Sequence, residues 1–142
     1  MIVTVNILAS VASGQPKIKL SSRHDEANAK VVSLHDGPMI IEADLDLAEI
    51  DEIRVTFFDK EPSPDPNKDT WIDILDLLVD GINLQHFIYE KGIQWPRYDK
   101  NFMDEYKPPS HYRPGCKLFL NGAWEIPIQL PIWKYLLDSY YA

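Results

Sequence analysis

Residues two apart share a hydropathy through much of this chain, and that restricts it to strands. In "MIIEADLDL" Met39, Ile41, Ala43, Leu45 and Leu47 fall on one side, while Glu42, Asp44 and Asp46 follow Ile40 on the other. A backbone with a period of two presents these residues to opposite faces, one to a core and one to water. "KIKL" repeats the pattern with Ile18 and Leu20, "EIRVTFFD" with Ile53, Val55 and Phe57, and "IVTVNIL" with Val3, Val5 and Ile7. Half-buried strands of this kind belong to antiparallel sheets. Turn residues separate the runs: Ser13-Gly14, Asp36-Gly37-Pro38, Asp80-Gly81 and Asn121-Gly122. The spacing predicts an all-β fold, an antiparallel β-sandwich of jelly-roll type, closed by a short C-terminal helix.

Length and charge narrow the classes. The 142 residues fit one domain, residues 1–142, with 45% hydrophobic residues to fill a core. The net charge of −8 argues against duplex nucleic acid and against an anionic membrane surface as partners. No apolar run reaches membrane-spanning length. "MIVTVNILASVASG" lacks a basic start, and Thr4 and Asn6 interrupt it, so it reads as a strand and not as a leader. The single cysteine, Cys116, excludes an internal disulfide and suits a reducing compartment.

Two segments are ambiguous. "DTWIDILDLLVDG" has no Gly or Pro to oppose a helix, but it precedes a hairpin turn and a β-like run, "INLQHFIY", and strand is preferred. Ile72 and Ile74 then share a face while Leu77 and Val79 take the opposite parity. Either a bulge near Asp76 or burial on both faces would explain the switch. "CKLFLNGAWEIPIQL" reads as a hairpin around Asn121-Gly122. The favoured register sets Leu118 against Trp124, Lys117 against Glu125 and Cys116 against Ile126. Pro127 has no N–H to give and marks an edge or a bulge.

Residues 85–115 break the strand pattern, and from residue 90 onward they are rich in proline and aromatics. They predict an insertion packed by its own rings. Trp95, Tyr98 and Tyr112 are its candidate contact residues. Such rings stack on sugar faces, but they also close a satellite core or face a partner, and those last two uses are preferred. At about 131–141, Pro131 starts a helix whose Trp133, Leu136, Leu137 and Tyr140 follow helical spacing. Trp133 and Tyr140 are candidate contacts to a neighbouring subunit. The loop "DKEPSPDPNKD" offers Asp59, Asp65 and Asp69 as calcium ligands, without the spacing of an EF-hand, against a plain solvated loop. No nucleophile elbow, zinc-protease motif or phosphate loop occurs, and His24, His35, His86 and His111 are scattered, so no catalytic residue and no enzyme are expected.

"RVTFFD", a Pro/Asp loop and then "DTWIDILDLLVDG" resemble the small β-sandwich carbohydrate-binding modules, some of which bind xylan through calcium. The same segment with "LFLNGAWEIPIQLPIWKYLL" is similar to small β-sandwich virion proteins of tailed bacteriophages. Thr70 and Trp71 stand where the carbohydrate modules carry a basic and an amide residue, and 85–115 has no counterpart in them. The phage resemblance implies a non-catalytic structural or assembly protein of a head, neck, tail or fibre. Such a protein is made in the host cytoplasm, sits in the virion and contacts other virion proteins or copies of itself. The alternative it leaves is a carbohydrate-binding module, calcium-dependent or not, that recognises host-surface glycans.

Overall fold

The alternating runs form two antiparallel sheets whose apolar faces meet. The structure is a computed structural model and describes residues 1–98, 100–111 and 116–141, the side chains of 140 and 141 excepted. In chain order the elements are β1 (Ile2–Ser10), β2 (Lys17–Ser22), β3 (Lys30–Ser33), β4 (Gly37–Asp44), β5 (Ile50–Phe58), β6 (Trp71–Val79) and β7 (Ile82–Asn83). After these come α1 (Gln85–Lys91), β8 (Ile93–Pro96), α2 (Lys100–Tyr106), β9 (Lys117–Leu118), β10 (Gly122–Gln129) and α3 (Ile132–Tyr141). One sheet has the order β4-β1-β6-β7, with β9 also on β6. The other has the order β3-β2-β5-β10-β8.

Parity decides what is buried. Val3, Val5 and Ile7 of β1 and Ile41 and Ala43 of β4 point inward. From the other sheet Ile18, Leu20, Ile53, Val55, Phe57, Trp124, Ile126 and Ile128 meet them. Each such side chain contributes roughly 1.5–3 kcal/mol by leaving water. The parity switch in β6 is a bulge. Asn6 pairs with Asp76 and Ile7 with Ile74, so Leu75 is the extra residue. The bulge returns Leu77 and Val79 to the core face that Ile72 and Ile74 occupy, and all four are buried.

Two sequence expectations are corrected. The run after Asp80-Gly81 is a strand only for two residues. Asn83 Oδ1 then accepts the amide of Gln85 at 2.8 Å, and the chain turns into α1. Leu84, Phe87 and Ile88 are buried at helical spacing, and that packing decides against the strand. "CKLFLNGAWEIPIQL" is an arch and not a hairpin. Its arms belong to different sheets, β9 on β6 and β10 between β5 and β8. Leu118 and Trp124 therefore reach the core from opposite layers. Lys117 pairs with Asp73 in place of Glu125, its ammonium 4.0 Å from the Trp71 ring centroid. Cys116 lies just before β9, buried, with Sγ 3.6 Å from Ile88 O rather than opposite Ile126. Pro127 sits where β8, which pairs only with 122–125, has ended, so its missing N–H leaves no gap in that ladder.

Candidate functional site

The outward face of the second sheet is built in cross-strand rows. Lys19 pairs with Thr56, Thr56 with Ala123 and Ala123 with Trp95. This row runs across β2, β5, β10 and β8, large at both ends and small in the middle. The next row sets Ser21 against Arg54, Arg54 against Glu125 and Glu125 against Ile93. Side chains in one row stand about 5 Å apart, so Thr56 and Ala123 form a low floor between taller neighbours. A cleft of about 1180 Å³ lies over it, with Phe58, Trp95, Pro96, Arg97, Tyr98 and Ser110 among its walls. That is large enough for a short oligosaccharide.

The approach of β8 depends on Gly122. A Cβ there would fall 2.4 Å from Trp95 O, so only glycine lets the Trp95 strand come this close. Beyond β8 the described residues bring several rings together. Tyr98 stacks on Phe102 with centroids 5.3 Å apart, and Phe102 meets Tyr106 at 5.0 Å. Tyr98 also donates its hydroxyl to Pro109 O at 3.1 Å, and Trp95 meets the His111 ring at 4.9 Å. Trp95 remains 40% exposed and Tyr98 half-buried, so their rings are held in place while still reachable.

Charged groups lie along the floor and rim. Arg54 Nε is 3.0 Å from a Glu125 oxygen, and its terminal nitrogens are 3.7 Å from Glu26 and 3.8 Å from Glu52. Lys19 holds Glu26 at 3.1 Å. Burial, reinforced by the neighbouring Glu52, raises the Glu125 carboxyl above its ordinary value, although Arg54 works against the rise. The Arg54–Glu125 contact is an ion pair rather than an aligned hydrogen bond, because Arg54 Nε has no well-directed acceptor. Carboxylates, guanidinium, amide and hydroxyl groups beside exposed rings are the equipment for gripping sugar hydroxyls and stacking on sugar faces.

The expected site residues are dispersed. Trp95 and Tyr98 come together at the cleft. Tyr112 lies outside the described residues, as does the side chain of Tyr140. Trp133 is 58% exposed on α3 and does not line the cleft. Arg54, Thr56, Phe58, Ala123 and Glu125 line the cleft as well, though none is among the expected site residues. Their signal was the outward parity of "EIRVTFFD" and "NGAWEIP".

The aspartates proposed for calcium are not gathered. Asp59 pairs with Lys17 at 2.9 Å and Asp69 with Lys60 at 2.8 Å, while Asp65 accepts the amide of Asn67 within its own loop. Lys60 also donates to Phe119 O, and its amide donates to Asn121 Oδ1. Calcium takes roughly six to eight oxygens at one point, and a bound ammonium opposes a dication. Among the described residues no group of three or more His, Cys, Asp or Glu is placed to hold a metal ion. As placed, these residues do not fit the ion.

Cys116 is buried, and that burial pushes its thiol up to about 11, which keeps it protonated and inert.

No protein-family model matches the sequence, and no curated protein matches it. Two solved structures share the fold. One is vCBM60 in complex with galactobiose, with a TM-score of 0.61 and 15% identity, covering 90% of this chain and 100% of that one. The other is a selenomethionine form of vCBM60, tied to an evolutionary link by circular permutation between two families of calcium-dependent carbohydrate-binding modules. Its TM-score is 0.60 at 16% identity, with 88% of each chain covered. Neither is described as a virion protein. At such identities the likeness is one of architecture: this chain has the β-sandwich fold found in a carbohydrate-binding module.

Proposed function

We propose that this protein is a non-catalytic carbohydrate-binding module and that the cleft over β2, β5, β10 and β8 is its glycan site. The observation that carries the reading is the cross-strand row from Lys19 through Thr56 and Ala123 to Trp95. Two small residues open a trough, and an exposed indole stands at its end. The sandwich shared with vCBM60, a module solved with galactobiose, supports the same reading.

Rigid strands hold the site, so a ligand meets preformed walls and little ordering is required on binding. Stacking on Trp95 would supply the apolar contact, and the polar floor would fix orientation. No bond is made or broken.

Tryptophan fluorescence against a panel of oligosaccharides tests the proposal. At least one glycan should change the emission with saturation. Trp95→Ala should abolish the response, and Trp133→Ala should leave it intact. A panel that leaves the emission flat, or a response that survives Trp95→Ala, would remove the cleft from consideration.

A second reading, attachment to copies of itself, is favoured by one observation. Trp133 and Leu137 lie one helical turn apart on α3 and are 58% and 49% exposed. Light scattering on the full chain and on a form lacking 131–142 separates the two readings. Assembly requires a defined oligomer whose mass falls on the deletion.

A further inference from the structure

We propose, building on the carbohydrate reading, that the cleft takes an acidic oligosaccharide, with a hexuronic acid residue set against Trp95 and its carboxylate on Arg97. The charge balance of the cleft is opposite to that of the chain. The whole sequence has 14 basic and 22 acidic residues. The cleft lining has four cations, Lys19, Arg54, Lys60 and Arg97, against the three carboxylates Glu26, Asp59 and Glu125.

Most of these charges are already matched. Lys19 holds Glu26 at 3.1 Å, Arg54 holds Glu125 at 3.0 Å and Lys60 holds Asp69 at 2.8 Å, while Asp59 is taken by Lys17 at 2.9 Å. Arg97 forms no ion pair among the described residues, and it is exposed. Its backbone is nevertheless fixed, since its amide donates to Asn121 O at 2.6 Å. Arg97 lies just beyond β8, two positions after Trp95, and both residues line the cleft. A planar guanidinium offers two parallel N–H groups, which match the two oxygens of a carboxylate. A hexuronate combines that carboxylate with a ring face suited to an indole. Remote carboxylates on the rest of the chain are screened beyond about 8 Å at physiological salt, so the local cation decides.

Isothermal titration with an oligogalacturonate and with its carboxyl-reduced, neutral counterpart of equal length tests this. The acidic sugar should bind the native protein at least about tenfold more tightly, a difference of about 1.4 kcal/mol. Arg97→Gln should bring the two within about twofold of each other, and Arg97→Lys should retain part of the preference. Thermal melts of both variants should match the native protein, because Arg97 is exposed.

Equal binding of both sugars, abolished by Trp95→Ala, would overturn the acidic preference and leave the carbohydrate reading standing. Binding of neither sugar overturns the acidic preference, and the glycan panel then decides the carbohydrate reading separately. A preference that persists in Arg97→Gln would overturn the role of Arg97. Tighter binding of a sulfated oligosaccharide would overturn the choice of carboxylate.

Discussion

Arg54 and Glu125 face each other across adjacent strands, 3.0 Å apart, with Glu26 and Glu52 on the far side of the same guanidinium. The Arg54 guanidinium thus lies within 4 Å of three carboxylates, of which Glu26 is also held by Lys19. Arg54→Ala should destabilise the fold by about 1–2 kcal/mol at neutral pH, a figure reduced because the pair is partly exposed. The penalty should shrink on acidification. A raised carboxyl contributes stability that is fully present below its unfolded value and is lost as pH rises through its folded value. For Glu125 that window opens at its ordinary value and extends upward. Without Arg54 the repulsion is worst where all three carboxylates are charged. Urea denaturation at pH 4 and pH 7 would show it, and an equal loss at both would refute the assignment.

Asp25 has the opposite sign. Its carboxylate accepts the amide of Asp46 at 2.8 Å, the side-chain amide of Asn28 at 2.9 Å and the Asn28 backbone amide at 3.1 Å. These donors, the Asp46 amide foremost, lower it below its ordinary value. Its contribution is therefore present above the unfolded value and is lost as pH falls through the folded one. Asp25→Asn should flatten the acid limb of the stability curve while lowering stability at neutral pH. Thermal melts from pH 2 to pH 7 provide the readout.

Gly92 ends α1 directly over the buried Trp124. A Cβ at 92 would lie 2.5 Å from both Ile88 O and Trp124 Nε1, so the indole and the helix end leave no room for it. Gly92→Ala should cost about 1–3 kcal/mol by overpacking. Trp124→Ala should cost about 3–5 kcal/mol by leaving a cavity. Denaturant midpoints of the two variants would check the order. A neutral Gly92→Ala would mean that the helix end shifts freely.

Calcium should not raise the melting temperature through the 59–69 loop. The aspartates of the 59–69 loop are already held by Lys17, by Lys60 and by their own loop. A ligand that binds only the folded state must stabilise it. A rise at millimolar calcium that is lost in Asp69→Asn would show that the ion displaces Lys60.

The alternation in "IVTVNIL", "KIKL", "MIIEADLDL" and "EIRVTFFD" revealed the sandwich because one-sided burial imposes it on each strand locally. The bulge at Leu75 was visible as a parity switch but not distinguishable, since its cause lies in Asn6 and Ile7, seventy residues away. The arch at Asn121-Gly122 reads like a hairpin because local turn chemistry does not say whether the two arms pair with each other or with β6 and β5. The helix after Asn83 was obscured by the β-branched and aromatic residues of "INLQHFIY", and burial against β6 and β10 overrode their preference. Trp95 and Tyr98 were recognisable as candidate contacts from their ring chemistry. Their partners Thr56 and Ala123 were not, because a cleft depends on cross-strand register, which no single segment encodes.

The shallow middle of the trough has an evolutionary consequence. Thr56 and Ala123 point away from the hydrophobic interior, so exchanging either for a bulkier residue would reshape the trough without disturbing the sandwich beneath it. The shape of the trough and the foldability of the sandwich are thus set at separate positions, so the first can change by single steps while the second is kept.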